Sequence, residues 1–550
     1  MEPPPPPLLA SAYLPIALAT ALIFLVSILR HRRRQSATVR KYNLPPGPRP
    51  WPVIGNLHLI GALPHRSAHE LSKRYGPLMS LRFGSSPAVV GSSVDMARFF
   101  LRTHDLSFID RPRVAAGRYT GYGYSDMLWS PYGAYWRQAR RLWKAELLSA
   151  ARLRQHERAR SQEVRAMLRG LYDDAPPPPA VRIMDHLFTV NINVISRMVL
   201  GKKYVGGGDG GGGGGGSSSA PTTTPEEFKW MIEEFFFLSG ALNVGDMIPW
   251  LSWLDPHGYV RRMKRLRQMF DRFLDHVLDE HDGRRRREGE GFVAMDMVDL
   301  LLELADDPDL EVPIQRHGVK AFTLNLLVGL PDTTSVTIEW AMSELLRNPG
   351  VLAKATEELD RVVGRERHVT EGDVASLPYV EAVVKETMRL HPVTPMLAPR
   401  LSREDVVVAV PSSTGEHDGA GAVGYGIPAG TLVFVNVWAI GRDPGVWGPD
   451  AGEFLPERFA GSSVDVLGHD LELLPFGSGR RMCPGIALGL KVVQLILASL
   501  LHGYAWRLPD GVAAEELSME EKHGLSMPRL VPLEAVAEPR LPAHLYAAGL

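Results

Sequence analysis

Pro475-Phe476-Gly477-Ser478-Gly479-Arg480-Arg481-Met482-Cys483-Pro484-Gly485 stands near the C-terminal end of the chain and contains its one cysteine. The residues that follow, 486–504, are apolar nearly all round, which marks a buried helix. Small residues around Cys483 let backbone amides approach the sulfur. A thiolate placed just before a helix N-terminus meets unpaired N–H groups and the positive end of the helix dipole. This context predicts a sulfur kept ionised as a soft metal ligand. A buried, inert cysteine would leave the surrounding glycines and arginines unexplained.

Working outward, one cysteine in 550 residues excludes an intrachain disulfide and any multi-cysteine zinc site. With 61 basic against 62 acidic residues the formal net charge is -1, which gives no reason to expect a nucleic-acid partner. Residues 8–29 run apolar without a charge, and 22 residues at about 1.5 Å each span roughly 33 Å, close to the bilayer hydrocarbon core. Arg30, His31, Arg32, Arg33 and Arg34 follow directly, so the charge bias places the rest of the chain in the cytosol. We therefore expect residues 1–34 to be a single-pass membrane anchor. Residues 35–56 form a basic, proline-rich linker, stiff because five prolines between Pro45 and Pro52 fix φ. Residues 57–550 make one domain, with Gly-rich insertions at 206–225 and 411–424.

Gly419-Ala420-Gly421-Ala422-Val423-Gly424 matches a dinucleotide fingerprint in form only, because Pro428 follows where a helix has to open. Helical periodicity dominates elsewhere, through 321–347, 351–363, 379–390 and 486–504. Short β-branched runs at 88–90, 405–410 and 432–437 read as small strands. The fold class is mainly α with small β-sheets.

The cysteine segment fits the Phe-x-x-Gly-x-Arg-x-Cys-x-Gly signature of the cytochrome P450 family, with Phe476, Gly479, Arg481, Cys483 and Gly485 in place. Glu386 and Arg389, i and i+3 on one helix, together with Arg458 in Pro456-Glu457-Arg458-Phe459, resemble the family's structural Glu-Arg-Arg triad. Trp136 and Arg140 resemble its Trp-x-x-x-Arg element, and Arg400 sits where another basic ligand belongs. By that resemblance Cys483 ligates the iron of heme b, and Trp136, Arg140, Arg400 and Arg481 converge on the heme propionates. The stretches 45–56, 129–133 and 438–444 resemble plant microsomal A-type members near the flavonoid hydroxylases.

Gly329-Leu330-Pro331-Asp332-Thr333-Thr334 resembles the family's oxygen-activating helix. Asp332 and Thr333 keep the acid-alcohol pair that can deliver protons to dioxygen. Leu330 replaces a glycine, and Pro331 cannot donate its helix hydrogen bond, so a kink is expected there. The resemblance implies insertion of one atom of O2 into a lipophilic flavonoid, phenylpropanoid or terpenoid. Electrons would come from NADPH through a separate cytochrome P450 reductase, at the endoplasmic reticulum membrane with the catalytic domain facing the cytosol. Residues 119–129, 235–237 and 393–395 are where the family lines its substrate pocket. Two alternatives follow from Leu330-Pro331: a heme-thiolate isomerase or dehydratase, and a non-catalytic heme-binding protein.

Overall fold

The computed structural model describes residues 42–173, 180–203, 223–411 and 422–547. The expected anchor, the first part of the linker and most of both Gly-rich tracts lie outside the described residues.

The helices that frame the site are α1 (Pro64–Tyr75), α2 (Ala115–Tyr119), α3 (Ala134–Leu142), α4 (Ile183–Leu200), α5 (Pro225–Gly240), α6 (Tyr259–Glu288), α7 (Arg316–Gly329), α8 (Pro331–Arg347), α9 (Pro378–Leu390) and α10 (Ile486–Gly503). The strands are β1 (Leu78–Phe83), β2 (Ser86–Gly91), β3 (Val181–Arg182), β4 (Arg400–Leu401), β5 (Val406–Pro411), β6 (Ala422–Ile427), β7 (Leu432–Val435), β8 (Tyr504–Arg507) and β9 (Glu534–Pro539). They form a four-stranded sheet in the order β1-β2-β7-β4, a three-stranded sheet β3-β9-β8 and the hairpin β5-β6. The pair β2–β7 is parallel and the other pairs are antiparallel. This is the mainly helical architecture with minor sheet that the periodicity predicts.

Two helices organise the core. α10 is long and apolar enough to cross a membrane, yet 72% of it is buried inside the fold, where it packs on α8 and α9. α8 is buried along nearly its whole length between α4, α9 and α10. The run expected as one helix over 321–347 is two, because the ring of Pro331 removes the N–H that would continue the ladder. Leu330 ends α7 and caps α8 with φ -90° and ψ -49°. α5 starts where Thr224 and Glu227 form a reciprocal capping box behind Pro225.

Two expectations are corrected. The proline-rich connector does not stand free up to residue 56: the Ser80 N–H and hydroxyl donate to the Pro46 and Pro45 carbonyls at 2.7 Å each, and the Gly426 N–H donates to Asn43 O at 2.7 Å. A Cβ on Gly47 would fall 2.0 Å from the Ser80 carbonyl, so only glycine lets this strand-like segment lie on β1. The tract 411–424 is not wholly an insertion either, since its two ends pair as β5 and β6. A strand therefore follows the formal dinucleotide fingerprint where a helix would have to open.

Candidate active site

The cysteine loop is shaped by two glycines with positive φ, Gly477 at 67° and Gly479 at 72°. A Cβ on Gly479 would sit 2.2 Å from the Leu101 carbonyl, so no larger residue fits. The turn returns the Cys483 N–H to the Phe476 carbonyl at 2.9 Å, and α10 opens directly after Gly485. Cys483 itself is half-buried. Burial pushes its thiol up, against the Gly485 N–H and the Arg140 charge, which pull it down. Amides and helix dipole alone therefore do not ionise this sulfur, contrary to the expectation from sequence. A cationic metal ion at the sulfur is what would hold it as a thiolate.

Around the loop the fold collects guanidinium groups. Arg481 lies over the Trp136 ring at 4.4 Å, donates to the Ile109 carbonyl at 3.0 Å and the Ser130 carbonyl at 2.7 Å, and keeps Nη1 buried without a partner. Burial first, and then Arg400, lower its pKa to about 10. Burial lowers the pKa of Arg140, one turn after Trp136 on α3, and the nearby Cys483 sulfur acts against that shift. Arg400 is spoken for: it donates to Asp105 Oδ1 at 2.7 Å and to the Ser478 carbonyl at 3.0 Å, which ties the cysteine loop to the segment after Thr103. Its observed partners make it a seat for the loop.

Sequence reading missed Arg111. It is buried, and its hydrogen bonds go to the carbonyls of Leu128, Ala398 and Pro399 at 2.6 to 3.1 Å. Desolvation, followed by repulsion from Arg481 and Arg400, holds its pKa well below the usual range. Asp126, also missed, is one nearby acid; burial raises it to about 7, so it neutralises little of this charge, while Asp105 is shared by Arg400 and Arg480. Nothing in the sequence distinguishes Arg111 from a surface arginine. Buried cations with carbonyl partners and one orphaned N–H need anions, and the two propionates of a heme held at Cys483 would satisfy that need. The residues present fit the cofactor.

At the break between α7 and α8, Gly329 is exposed, with open space where a Cβ would be, and the Thr333 hydroxyl donates to the Gly329 carbonyl at 2.7 Å. Residues i and i+4 share a face, so glycine and threonine look the same way. Leu330 points elsewhere, 6% exposed within the main core cluster. The expected leucine bulk at the reacting face is therefore not found. Asp332 is buried, its pKa raised to about 6 by desolvation against a hydrogen bond from Ser526. It faces the C-terminal hairpin, and no hydrogen bond joins it to Thr333 among the described residues.

A cavity of about 360 Å³ reaches the cysteine loop at Leu397, and Gly329 and Thr333 do not line it. Trp129, Thr394 and Pro395 line it as expected, with Ala116, Met247, Met263 and Leu397 among its aliphatic wall residues. The Phe235-Phe236-Phe237 run does not: Phe235 and Phe236 are buried in the core and Phe237 packs on Tyr259. The residues just after it, Leu238 to Leu242, line the cavity instead. Leu397 reaches from this wall to the cysteine loop, 3.8 Å from where a Cβ on Gly477 would be.

Glu386 and Arg389 meet at 2.6 Å with no solvent exposure, and Arg458 joins Glu386 at 3.0 Å, which ties α9 to the segment 441–458.

This fold and this site define a heme-thiolate monooxygenase, and the chain belongs to the cytochrome P450 family, whose model matches residues 45–531. It is 50% identical to a trimethyltridecatetraene synthase of Zea mays over 96% of this chain and 94% of that one. It is 48% identical to a dimethylnonatriene synthase of Zea mays over 97% and 98%. A flavonoid 3'-monooxygenase of Arabidopsis thaliana is 38% identical over 98% and 100%. Among solved structures, a zebra fish cytochrome P450 with abiraterone superposes with a TM-score of 0.67 at 23% identity, covering 87% of this chain and all of that one. The enzyme is an oxidoreductase that uses heme, with NADPH as the electron source through a reductase, as is standard in the family.

Proposed function

We propose that this monooxygenase takes an acyclic terpenoid into the aliphatic cavity and inserts one atom of O2 into it, from a membrane-tethered position. The wall of that cavity carries the reading: aliphatic side chains from α1, the sheet, α5 and the segment 394–401 surround a space suited to a flexible hydrocarbon chain. Two relatives whose names describe polyene products, at 50% and 48% identity, support it over the flavonoid reading brought by relatives near 40%. The flavonoid alternative remains the comparison arm of the test.

Heme bound at Cys483 supplies one-electron and dioxygen chemistry. The chain does the rest. Arg111, Arg140 and Arg481 would hold the propionate edge, the loop glycines fix the sulfur, and the apolar wall excludes water. The Thr333 hydroxyl lies on the Gly329 carbonyl beside open space, and we assign it the last proton transfer toward dioxygen. Asp332, turned toward Ser526, is assigned a reservoir role behind it, reached by movement of its side chain. This intact arrangement supports an oxygenase over an isomerase. Arg137 and Arg141, which share one exposed acid, Glu311, present with Lys144 just beyond α3 a basic face suited to an acidic reductase. The apolar run 8–29 with its basic stop is assigned the anchor, leaving the catalytic domain in the cytosol at the endoplasmic reticulum.

Full-length protein with a reductase and NADPH is expected to oxidise a linear sesquiterpenoid and to leave a flavanone unchanged; the reverse product pattern would reject the terpenoid assignment. Thr333→Ala is expected to lower product formed per NADPH consumed by about tenfold, with peroxide rising to match, as loss of a positioned proton donor allows. Unchanged coupling in that variant would remove Thr333 from proton delivery.

A further inference from the structure

Near the C-terminal end of α6, His281 meets Asp296, which caps the helix Met297–Ala305, and Asp299 in the first turn of that helix. All three are buried, and one ligand atom from each, an imidazole nitrogen and two carboxylate oxygens, lies within 4.8 Å of the other two. Their remaining polar atoms are held in place. Asp296 Oδ1 accepts the N–H groups of Val298 and Asp299 at 3.0 Å each, and Asp299 Oδ2 accepts the Met295 N–H at 2.9 Å and the Arg284 guanidinium. The end of α4 closes another side: Gly201 has φ 69°, and a Cβ there would fall 2.9 Å from Asp296 Oδ2. His156 feels the charge of Asp296 but does not join the cluster of ligand atoms.

Two features of this cluster call for a cation. His281 Nδ1 stands 2.8 Å from the Val277 carbonyl, which can only accept, so that nitrogen carries a hydrogen. In the neutral ring Nε2 is then a lone pair, and it faces Asp296 Oδ2 at 3.0 Å. Two acceptors hold that distance only with a positive charge between them. A proton on Nε2 meets this first demand: burial lowers the imidazole pKa and the bond to Asp296 raises it, with a net rise. The second demand is at Asp299 Oδ1, which is buried and has no hydrogen-bond partner among the described residues. A proton shared with Asp296 leaves this oxygen unserved. Arg284 is bound to the other Asp299 oxygen and stands 3.8 Å from Asp296, so two buried carboxylates share one guanidinium. A dication between His281 Nε2, Asp296 Oδ2 and Asp299 Oδ1 satisfies all three atoms at once.

We propose that His281, Asp296 and Asp299 bind a divalent cation of the zinc class, at a structural site that joins the ends of α4 and α6 to the helix Met297–Ala305. The donor set selects the ion. An imidazole suits zinc and its first-row neighbours, whereas magnesium and calcium favour oxygen ligands alone. The outer contacts fit as well, with the imidazole donating its other N–H to a backbone carbonyl and each carboxylate oriented by backbone N–H groups. The ion would fix the corner from which the chain runs into the Gly-rich tract 206–225. None of these residues belongs to the heme site or the aliphatic cavity, so the proposal is independent of the terpenoid reading.

Equilibration of the full-length heme-loaded protein with Zn2+, after treatment with EDTA and before desalting, tests this. Elemental analysis is expected to find one zinc per chain. Absorption at the zinc K-edge is expected to show one imidazole, oxygen ligands at about 2.0–2.2 Å and no sulfur. His281→Gln and Asp299→Asn are each expected to weaken zinc binding about a hundredfold, since even an outer partner of a metal site contributes 10–100-fold, roughly. The carbon monoxide band of both variants is expected to keep its wild-type height, which shows the fold intact. Absence of retained zinc in the wild type would overturn the site and leave a water, shared by Asp299 Oδ1 and the unpartnered Arg284 Nε, in its place. Unchanged affinity in either variant would overturn it too. The wild-type spectrum decides even where a variant fails to fold: sulfur at about 2.3 Å would place the ion at Cys483, and two or more imidazoles would place it away from this cluster.

Discussion

Replacing Cys483 with alanine is expected to abolish turnover and to remove the strongly red-shifted Soret band from the carbon monoxide difference spectrum of the reduced protein. The loop offers no second thiolate, because this is the only cysteine of the chain, and the thioether of the neighbouring Met482 would not give the red-shifted band. The effect separates ligation from folding, because the loop does not depend on the sulfur for its shape. Gly477 and Gly479 set the turn by their positive φ, the Cys483 backbone N–H reaches Phe476, and Ser478 is held through its carbonyl by Arg400 and through its hydroxyl by the Gly468 carbonyl. Alanine preserves every one of these contacts. The variant is therefore expected to unfold at nearly the same temperature as the heme-free wild type while losing thiolate ligation. Retention of the red-shifted band would show that another group holds the iron and would remove the central assignment.

The sequence made the site legible wherever chemistry and spacing are local. Cys483 with its glycines, the i and i+3 pair Glu386 and Arg389, and the i and i+4 pair Trp136 and Arg140 are each contained within a turn or two, and the fold keeps them together. The break at Pro331 was equally legible, since a missing N–H acts on its own helix. What the break does to neighbouring side chains was not. Whether Leu330 stands over the reacting face or turns into the core depends on how α7 and α8 rotate about each other, which is a tertiary outcome.

Arg111 shows the same limit for charge. Its burial among three carbonyls depends on the segment 398–399 crossing over it, nearly three hundred positions away in sequence. The cavity shows it for apolar side chains. Three consecutive phenylalanines look like a pocket wall, but a helix sends successive residues in different directions. Phe235 and Phe236 joined the core, and the less conspicuous end of α5 lines the cavity. The strands β1, β3, β4, β6, β8 and β9 escaped notice because none of them carries the concentration of valines that marks β2, β5 and β7.

The other large effect is on folding. Arg389→Lys keeps the charge and is nevertheless expected to destabilise the protein by about 3 kcal/mol, a large share of the roughly 5–15 kcal/mol that holds a typical domain. The reason is the number and the plane of the donors. Arg389 lies 1% exposed, donates to both oxygens of Glu386 at 2.6 and 2.7 Å, and reaches the carbonyls of Gly441, Ala451 and Glu453. A lysine has three donors on one nitrogen and cannot span that set, so it leaves buried carbonyls unpaired and a buried carboxylate half-served. Arg458, with its side chain 13% exposed and its Nη2 bond to Asp450 O near solvent, has water to replace what a shorter side chain loses. Arg458→Lys is therefore expected to cost less, about 1–2 kcal/mol, because only the part-buried Trp447 carbonyl and Glu386 lose a donor. Because the segment 441–458 is pinned to α9 by this network just ahead of the cysteine loop, loss of Arg389 is expected to lower heme content together with the urea midpoint. Equal unfolding midpoints for the two variants would show that the buried network does not hold this part of the fold, and that its role lies elsewhere than in stability.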